Sequence, residues 1–199
     1  MPSKLNNLFR TLTWNDFQKV NRAAPPPGVI AEAAEIPVDI NVAGVSVVNS
    51  SGGVRLADSV QATVQLGRCT VSSWVFNQPQ SFQTALLKHE QGHYDLTALI
   101  ARDWFLALMR LKLQVFANAQ ALQKALNDLD AATRKKAQPV ISLYDSRTTN
   151  GTNAQEQAKW DGFIQTAFKT AATPPEQTPD GTTIKVTLLG VLKQAGLPV

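Results

Sequence analysis

Two histidines four positions apart, His89 and His93, with Glu90 directly after the first, constrain this chain more than any other feature. The chain contains no other histidine, and both fall in one stretch, Leu86-Leu87-Lys88-His89-Glu90-Gln91-Gly92-His93-Tyr94-Asp95-Leu96. If the stretch is helical, the two imidazoles stand one turn apart on one face, about 6 Å along the axis. That spacing lets both reach a single zinc ion at about 2.0–2.1 Å. Glu90 lies beside them, where a carboxylate can take a proton from an activated water without itself being a ligand. Leu86, Leu87 and Leu96 give the stretch the apolar flanks of a buried helix, in which unpaired histidines would be costly. Gly92 in mid-helix costs about 1 kcal/mol relative to alanine, so its position predicts another element crossing close by.

The remaining composition narrows the class. At 199 residues, 44% hydrophobic and 17% charged, the chain reads as one globular domain with a sizeable core, not as a disordered segment. The net charge of +4 is spread along the sequence. Its only tight basic run, Arg134-Lys135-Lys136, reads as a helix C-terminus meeting its dipole, so no nucleic-acid partner is expected. Cys69 is the only cysteine, which rules out an intrachain disulfide. No apolar run has the length of a signal peptide or a membrane span, so the expectation is a cytoplasmic protein or one exported by a signal-independent route.

Along the chain, Leu12-Thr13-Trp14-Asn15-Asp16-Phe17 reads as an aromatic pair plugging one end of the core. Pro25-Pro26-Pro27-Gly28 marks a loop. Val38-Asp39-Ile40-Asn41-Val42 and Val60-Gln61-Ala62-Thr63-Val64-Gln65-Leu66 alternate with period two, and Ser50-Ser51-Gly52-Gly53 supplies a turn between them. Val71–Phe76 is a further expected strand, leading into a helix from Ser81 through the histidines. Within it, Ser72–Phe76 is the expected edge along which an extended peptide or protein substrate could add. A long apolar stripe follows, from Trp104 through Leu108, Leu111, Val115, Ala119, Leu122 and Leu126 to Leu129, ended by Pro139. A shorter amphipathic helix is expected over Gln155–Phe168. The fold expected is thus α+β: a small, mostly antiparallel sheet, the motif helix, a long amphipathic helix and a shorter C-terminal one. Residues 1–170 form the expected domain, and 171–199 a Pro-rich linker over Thr173–Gly181 with a short appendage, in which Thr183–Leu192 reads as a strand and a short helix.

A catalytic zinc takes three protein ligands and a water. With no third histidine, the third ligand must be a carboxylate, Cys69 or something weaker. Asp95 and Asp103 do not fit a straight helix. The polar segment Leu143–Asn153, read as a loop between helices, offers Asp145 as a ligand and the Tyr144 hydroxyl as an oxyanion donor.

Taken in order, Leu-Thr-Trp-Asn-Asp-Phe at 12–17, Ser-Trp-Val at 73–75, His-Glu-Gln-Gly-His-Tyr-Asp at 89–95 and Tyr-Asp-x-x-Thr at 144–148 followed by Gln-x-x-Trp resemble the bacterial predicted zinc-dependent proteases of domain of unknown function 922. The resemblance spans roughly residues 10–165. It implies a zincin-like fold, His89 and His93 as zinc ligands and Glu90 as general base. Where that family reads Tyr-Asp-x-x-Thr-x-His-Gly, this chain has Asn150 in place of the histidine. If that histidine is the family's third ligand, the chain has lost it and binds zinc weakly or not at all; if the aspartate is, Asp145 keeps the site intact. Asp145, Asn150 or another group stays open as third ligand.

Two functions follow. One is a zinc metallopeptidase with Glu90 and Tyr144 catalytic and His89, His93 and Asp145 on the metal. The other is a catalytically weak or inactive peptidase-like module used for protein binding, to which an exposed apolar stripe would contribute.

Overall fold

The computed structural model describes residues 3–25, 33–57, 59–169 and 187–199. Among them the chain forms three small sheets followed by four α-helices, an α+β architecture. The two period-two runs become β4 (Val38–Ala43) and β7 (Gln61–Leu66), paired antiparallel with Ile40 opposite Val64. β1 (Lys4–Asn6) joins the other side of β7 in parallel, so the order is β1-β7-β4 and β4 is an edge. In the second sheet β8 (Cys69–Ser72) lies between β2 (Phe17–Val20), to which it is parallel, and β3 (Ala34–Glu35), to which it is antiparallel. β5 (Val47–Ser50) and β6 (Gly53–Leu56) form a hairpin closed at Ser51-Gly52, where the turn was expected. Three of the five strand pairings among the described residues are antiparallel, as expected, and the two parallel ones are made by short N-terminal strands against β7 and β8.

The expected edge strand at Ser72–Phe76 is not one. β8 stops at Ser72 and is flanked on both sides, and Ser73–Asn77 winds into a 3-10 turn. Packing explains the turn. Val75 is fully buried, Trp74 packs on Phe82 with ring centroids 5.9 Å apart, and Phe76 packs on Trp14 at 5.6 Å. A strand would have sent these consecutive side chains to opposite faces. Trp14 also meets Phe17 edge-on at 5.2 Å, which makes the aromatic plug read from residues 12–17.

Helix α1 (Gln80–Lys112) starts within a residue of the expected position, but the helical stretch does not run unbroken to Pro139. Residues 113–118 turn the chain back into α2 (Ala119–Thr148). The turn is held at two points: Asn118 Oδ1 caps α2 by accepting from Ala121 N at 2.9 Å, and Phe116 exchanges backbone hydrogen bonds of 2.7 and 2.8 Å with Val54 of β6. The expected single stripe is thereby split between two helices. Leu108 and Leu122 are buried, and Trp104, Leu126 and Leu129 pack against the same core, so most of the stripe is covered by the fold itself. Pro139 sits inside α2 on its exposed face, where the carbonyl its ring leaves unpaired can turn to solvent. Arg134-Lys135-Lys136 is consequently mid-helix and not at a C-terminus, with Arg134 Nε on Asp130 Oδ2 at 2.9 Å.

Two shorter helices complete the body, α3 (Ala154–Lys169) and α4 (Leu188–Gln194). α1 is the spine between two cores. Toward the sheets, Tyr94, Ala98 and Phe105 pack with Val60, Val64 and Val71. Toward the helices, Leu96 and Leu99 pack with Val140, Tyr144, Trp160, Ile164, Leu188 and Leu192. α4 is part of this second core and not an appendage beyond residue 170: Leu188 and Leu192 are fully buried, and Leu188 N donates to Asp103 Oδ2 at 2.8 Å. The expected loop over Pro25–Gly28 lies mostly outside the described residues, as do the linker Thr173–Gly181 and the strand expected from Thr183. No described helix is long and apolar enough to cross a membrane.

Candidate metal centre

The residues His89–Asp95 divide between two neighbours, the N-terminal segment on one side and α2 on the other. Gln91 and Tyr94 hold the N-terminal segment: Gln91 Oε1 accepts from Leu12 N at 2.8 Å, its Nε2 donates to Arg10 O at 2.8 Å, and Tyr94 Oη donates to Asn7 O at 2.6 Å. Asp95 accepts from Gln91 Nε2 at 2.9 Å, and burial pushes its carboxyl up to about 6. His89 and His93 face the last turn of α2.

There three donor atoms converge. His93 Nε2 lies 3.1 Å from His89 Nε2, and Asp145 Oδ1 lies 2.9 Å from His93 Nε2 and 3.3 Å from His89 Nε2. Donors held tetrahedrally at 2.0–2.1 Å from one ion are separated by about 3.3–3.4 Å, so the spacing already approaches that of a metal's first shell. Hydrogen bonding alone does not account for it. Asp145 Oδ1 is buried and receives no well-directed hydrogen bond despite its two imidazole neighbours. On the far side of His89, Nδ1 is 3.3 Å from Thr148 Oγ1, and that hydroxyl spends its own proton on Tyr144 O at 2.7 Å. The threonine oxygen can then only accept, which assigns the proton to His89 Nδ1 and turns a bare Nε2 lone pair toward Asp145. Two imidazoles and one carboxylate form a donor set that could hold a divalent ion.

Electrostatics keep these groups ready to ligate. Burial holds the His89 imidazole below its ordinary pKa, against the opposing pull of Asp145, so it stays neutral at pH 7. Burial opposes ionisation of Asp145, and the facing imidazoles hold its carboxyl below the usual carboxylate range only where one of them turns a proton toward it. His89 is 3% exposed and Asp145 36%, so the cluster is sealed on the α1 side and open beside α2.

Tyr144 packs behind the cluster. Its hydroxyl is fully buried, donates to His89 O at 3.0 Å and accepts from Gln157 Nε2 at 2.9 Å, so it points at the helix backbone instead of the open side. Gln157 in turn donates to Asp161 Oδ1 at 3.0 Å, and Asp161 Oδ2 meets Lys88 Nζ at 2.6 Å, closing a polar chain from α3 back to α1. Gly92 is the residue that lets Tyr144 in, since a Cβ there would lie 2.1 Å from the phenol oxygen. This is the close crossing that a mid-helix glycine predicted.

Asp145 and Tyr144 are not in a loop as expected; α2 extends through Thr148, and the connection to α3 is only residues 149–153. It turns through three successive left-handed residues, Thr149 (φ 50°), Asn150 (φ 48°) and Gly151 (φ 83°). A β-branched residue there is strained, and the strain brings Gly151 so close to His89 that a Cβ would lie 2.7 Å from the histidine's own. Asn150 is exposed and serves through its backbone N–H, which donates to Asp145 O at 3.1 Å. Cys69 is on β8, outside the three-donor cluster, where burial pushes its thiol up and the charges of Asp16 and Glu90 add to the shift. Asp103 is taken by Arg102, at 2.8 Å. Glu90 is 4% exposed, adjacent in sequence to His89. Thr148, Gly151 and Gln157 stand in the quoted motifs, but nothing in the sequence assigned them a contact with His89 or Tyr144.

No family model, curated protein or solved structure matches the chain.

Proposed function

We propose that the protein is a zinc-dependent peptidase of zincin-like design. The observation that carries this reading is the convergence of His89 Nε2, His93 Nε2 and Asp145 Oδ1 within 2.9–3.3 Å, on a helix that places Glu90 next to the first ligand. The ordered motifs that resemble bacterial predicted zinc-dependent proteases contain these same residues and favour the same reading.

Zinc in this donor set would supply Lewis acidity, polarising a scissile carbonyl and lowering the pKa of a water. The protein's own groups do the rest. Glu90 takes the proton from the attacking water and returns it to the leaving amine. Thr148 holds His89 in the tautomer that presents Nε2. The oxyanion role expected of Tyr144 passes to another donor, such as a backbone N–H, because the phenol is already engaged by His89 O and Gln157. Tyr144 acts as a positioning residue.

The test is metal analysis of tag-free protein together with turnover of a denatured protein substrate. About one zinc per chain is expected in the wild type, lost in His93→Ala and in Asp145→Ala. Glu90→Gln should keep the metal and lose nearly all turnover. Wild type that takes up no zinc, or an equally active Glu90→Gln protein, would overturn the proposal, the former in favour of a non-catalytic binding module.

A further inference from the structure

The helix faces that carry the three donors continue past them. Thr97 lies one turn beyond His93 on α1 and Ile141 one turn before Asp145 on α2, so both are about 6 Å further along their axes. Both line a groove of about 500 Å³ that extends to Ile100, Trp104 and Ala137. Its remaining wall is β4. That strand's side chains alternate between half-buried and exposed, yet the groove touches Val38, Asp39 and Ile40 in succession, so it runs along the strand's edge and not over one face. Among the described residues β4 has β7 as its only strand partner, which leaves the main chain on that edge available for pairing.

The groove's volume suits a short stretch of peptide. Its floor is apolar, and its rim carries Asp39, Asp130 and Arg134. The guanidinium is held by Asp130 at 2.9 Å, so that pair cancels and the rim's remaining charge is the carboxylate of Asp39. An acidic ligand is disfavoured there, and a bulky uncharged side chain is favoured.

We propose that this groove is the substrate channel of the metal centre. An extended peptide pairs its main chain with β4 and seats a large apolar side chain between Ile100, Trp104 and Ile141, with no acidic residue beside it. This rests on the peptidase reading for its purpose, but its test reads binding and not cleavage. Random heptapeptides displayed on phage are selected on zinc-loaded Glu90→Gln protein, which spares what it binds. Enriched sequences, dye-labelled, are then titrated by fluorescence anisotropy into that protein with and without Ala137→Trp, which fills the groove from a half-exposed helix position, or Trp104→Ala, which empties it. The expected result is enrichment of Leu, Ile, Phe or Met at one position, depletion of Asp and Glu next to it, and about tenfold or weaker binding to both variants at unchanged zinc content. Absence of enrichment, or equal binding to Ala137→Trp, overturns the channel. Wild type that cleaves none of the enriched peptides counts against the peptidase reading alone, because the binding pattern still decides the groove.

Discussion

The Tyr144 ring lies flat on the His89 imidazole, with centroids 4.7 Å apart and planes 10° apart, while its hydroxyl reaches the His89 carbonyl at 3.0 Å. One side chain from α2 therefore fixes both the ring and the backbone of His89 on α1. Trp160 of α3 meets the same tyrosine edge-on at 5.3 Å, so the three helices lock together at this point.

Gly92→Ala tests that lock. Helix propensity alone predicts a gain of about 1 kcal/mol from removing a mid-helix glycine. The Tyr144 oxygen would be 2.1 Å from the new methyl group, and the phenol is fully buried, stacked and hydrogen-bonded, so it has nowhere to move. Overpacking should prevail, with a net destabilisation of about 1–3 kcal/mol by urea unfolding. A Gly92→Ala protein more stable than the wild type would show that Tyr144 is not held as described.

Thr148→Val removes the hydroxyl that receives His89 Nδ1–H and keeps the volume. Without that partner the imidazole loses its fixed tautomer, and metal affinity should fall by about 10–100-fold, read by competition with a chromogenic chelator. Unaltered affinity would mean that the 3.3 Å contact does not orient the ligand.

What the sequence disclosed, and what it withheld, follows the range of the interactions. The histidine pair, Glu90, the strands at Val38 and Val60 and the start of α1 depend on spacing within a few residues, and they were readable. Asp145 was one of several candidates, beside Cys69 and Asn150, and it is the one whose carboxylate meets the two histidines. The break after Lys112 was not legible, because no glycine or proline marks residues 113–118; the turn depends on Phe116 pairing with β6, more than fifty positions earlier. Pro139 misled for the complementary reason: its cost in a helix is reduced where the freed carbonyl meets water, and exposure is a tertiary property. Gln157 on α3 and Gly151 in the α2–α3 connection reach the site only through tertiary contacts, which no local spacing discloses.

The N-terminal plug carries a prediction in pH. Asp16 Oδ2 accepts from Thr13 N at 2.8 Å and its other oxygen meets Arg10 at 2.5 Å. The Thr13 backbone bond chiefly, with Arg10, holds its carboxyl below the ordinary 3.8. A carboxylate whose pKa is lower when folded adds stability above the unfolded value and loses it as pH falls through the folded one. Asp16→Asn should therefore melt below wild type at neutral pH, with the gap closing as pH drops beneath about 4. Thermal melts across that range check it, and a gap independent of pH would assign the effect to packing instead of charge.

Metal removal gives the most direct reading of the centre. Two imidazole nitrogens and a carboxylate oxygen converge at 2.9–3.3 Å, and with His89 protonated at Nδ1 the lone pairs facing one another outnumber the protons. A bound divalent ion turns that repulsion into coordination, and it stabilises the folded state by about 4 kcal/mol when free metal exceeds its dissociation constant a thousandfold. Strong chelation should therefore lower the melting temperature of the wild type, and added zinc should restore it. Asp145→Asn weakens the donor set by removing its only charge, and it also lessens the repulsion among the three donors in metal-free protein. Its melting temperature should respond little to chelator or to zinc. If the wild type is equally indifferent to both, the convergence of His89, His93 and Asp145 is a packing arrangement and not a metal site.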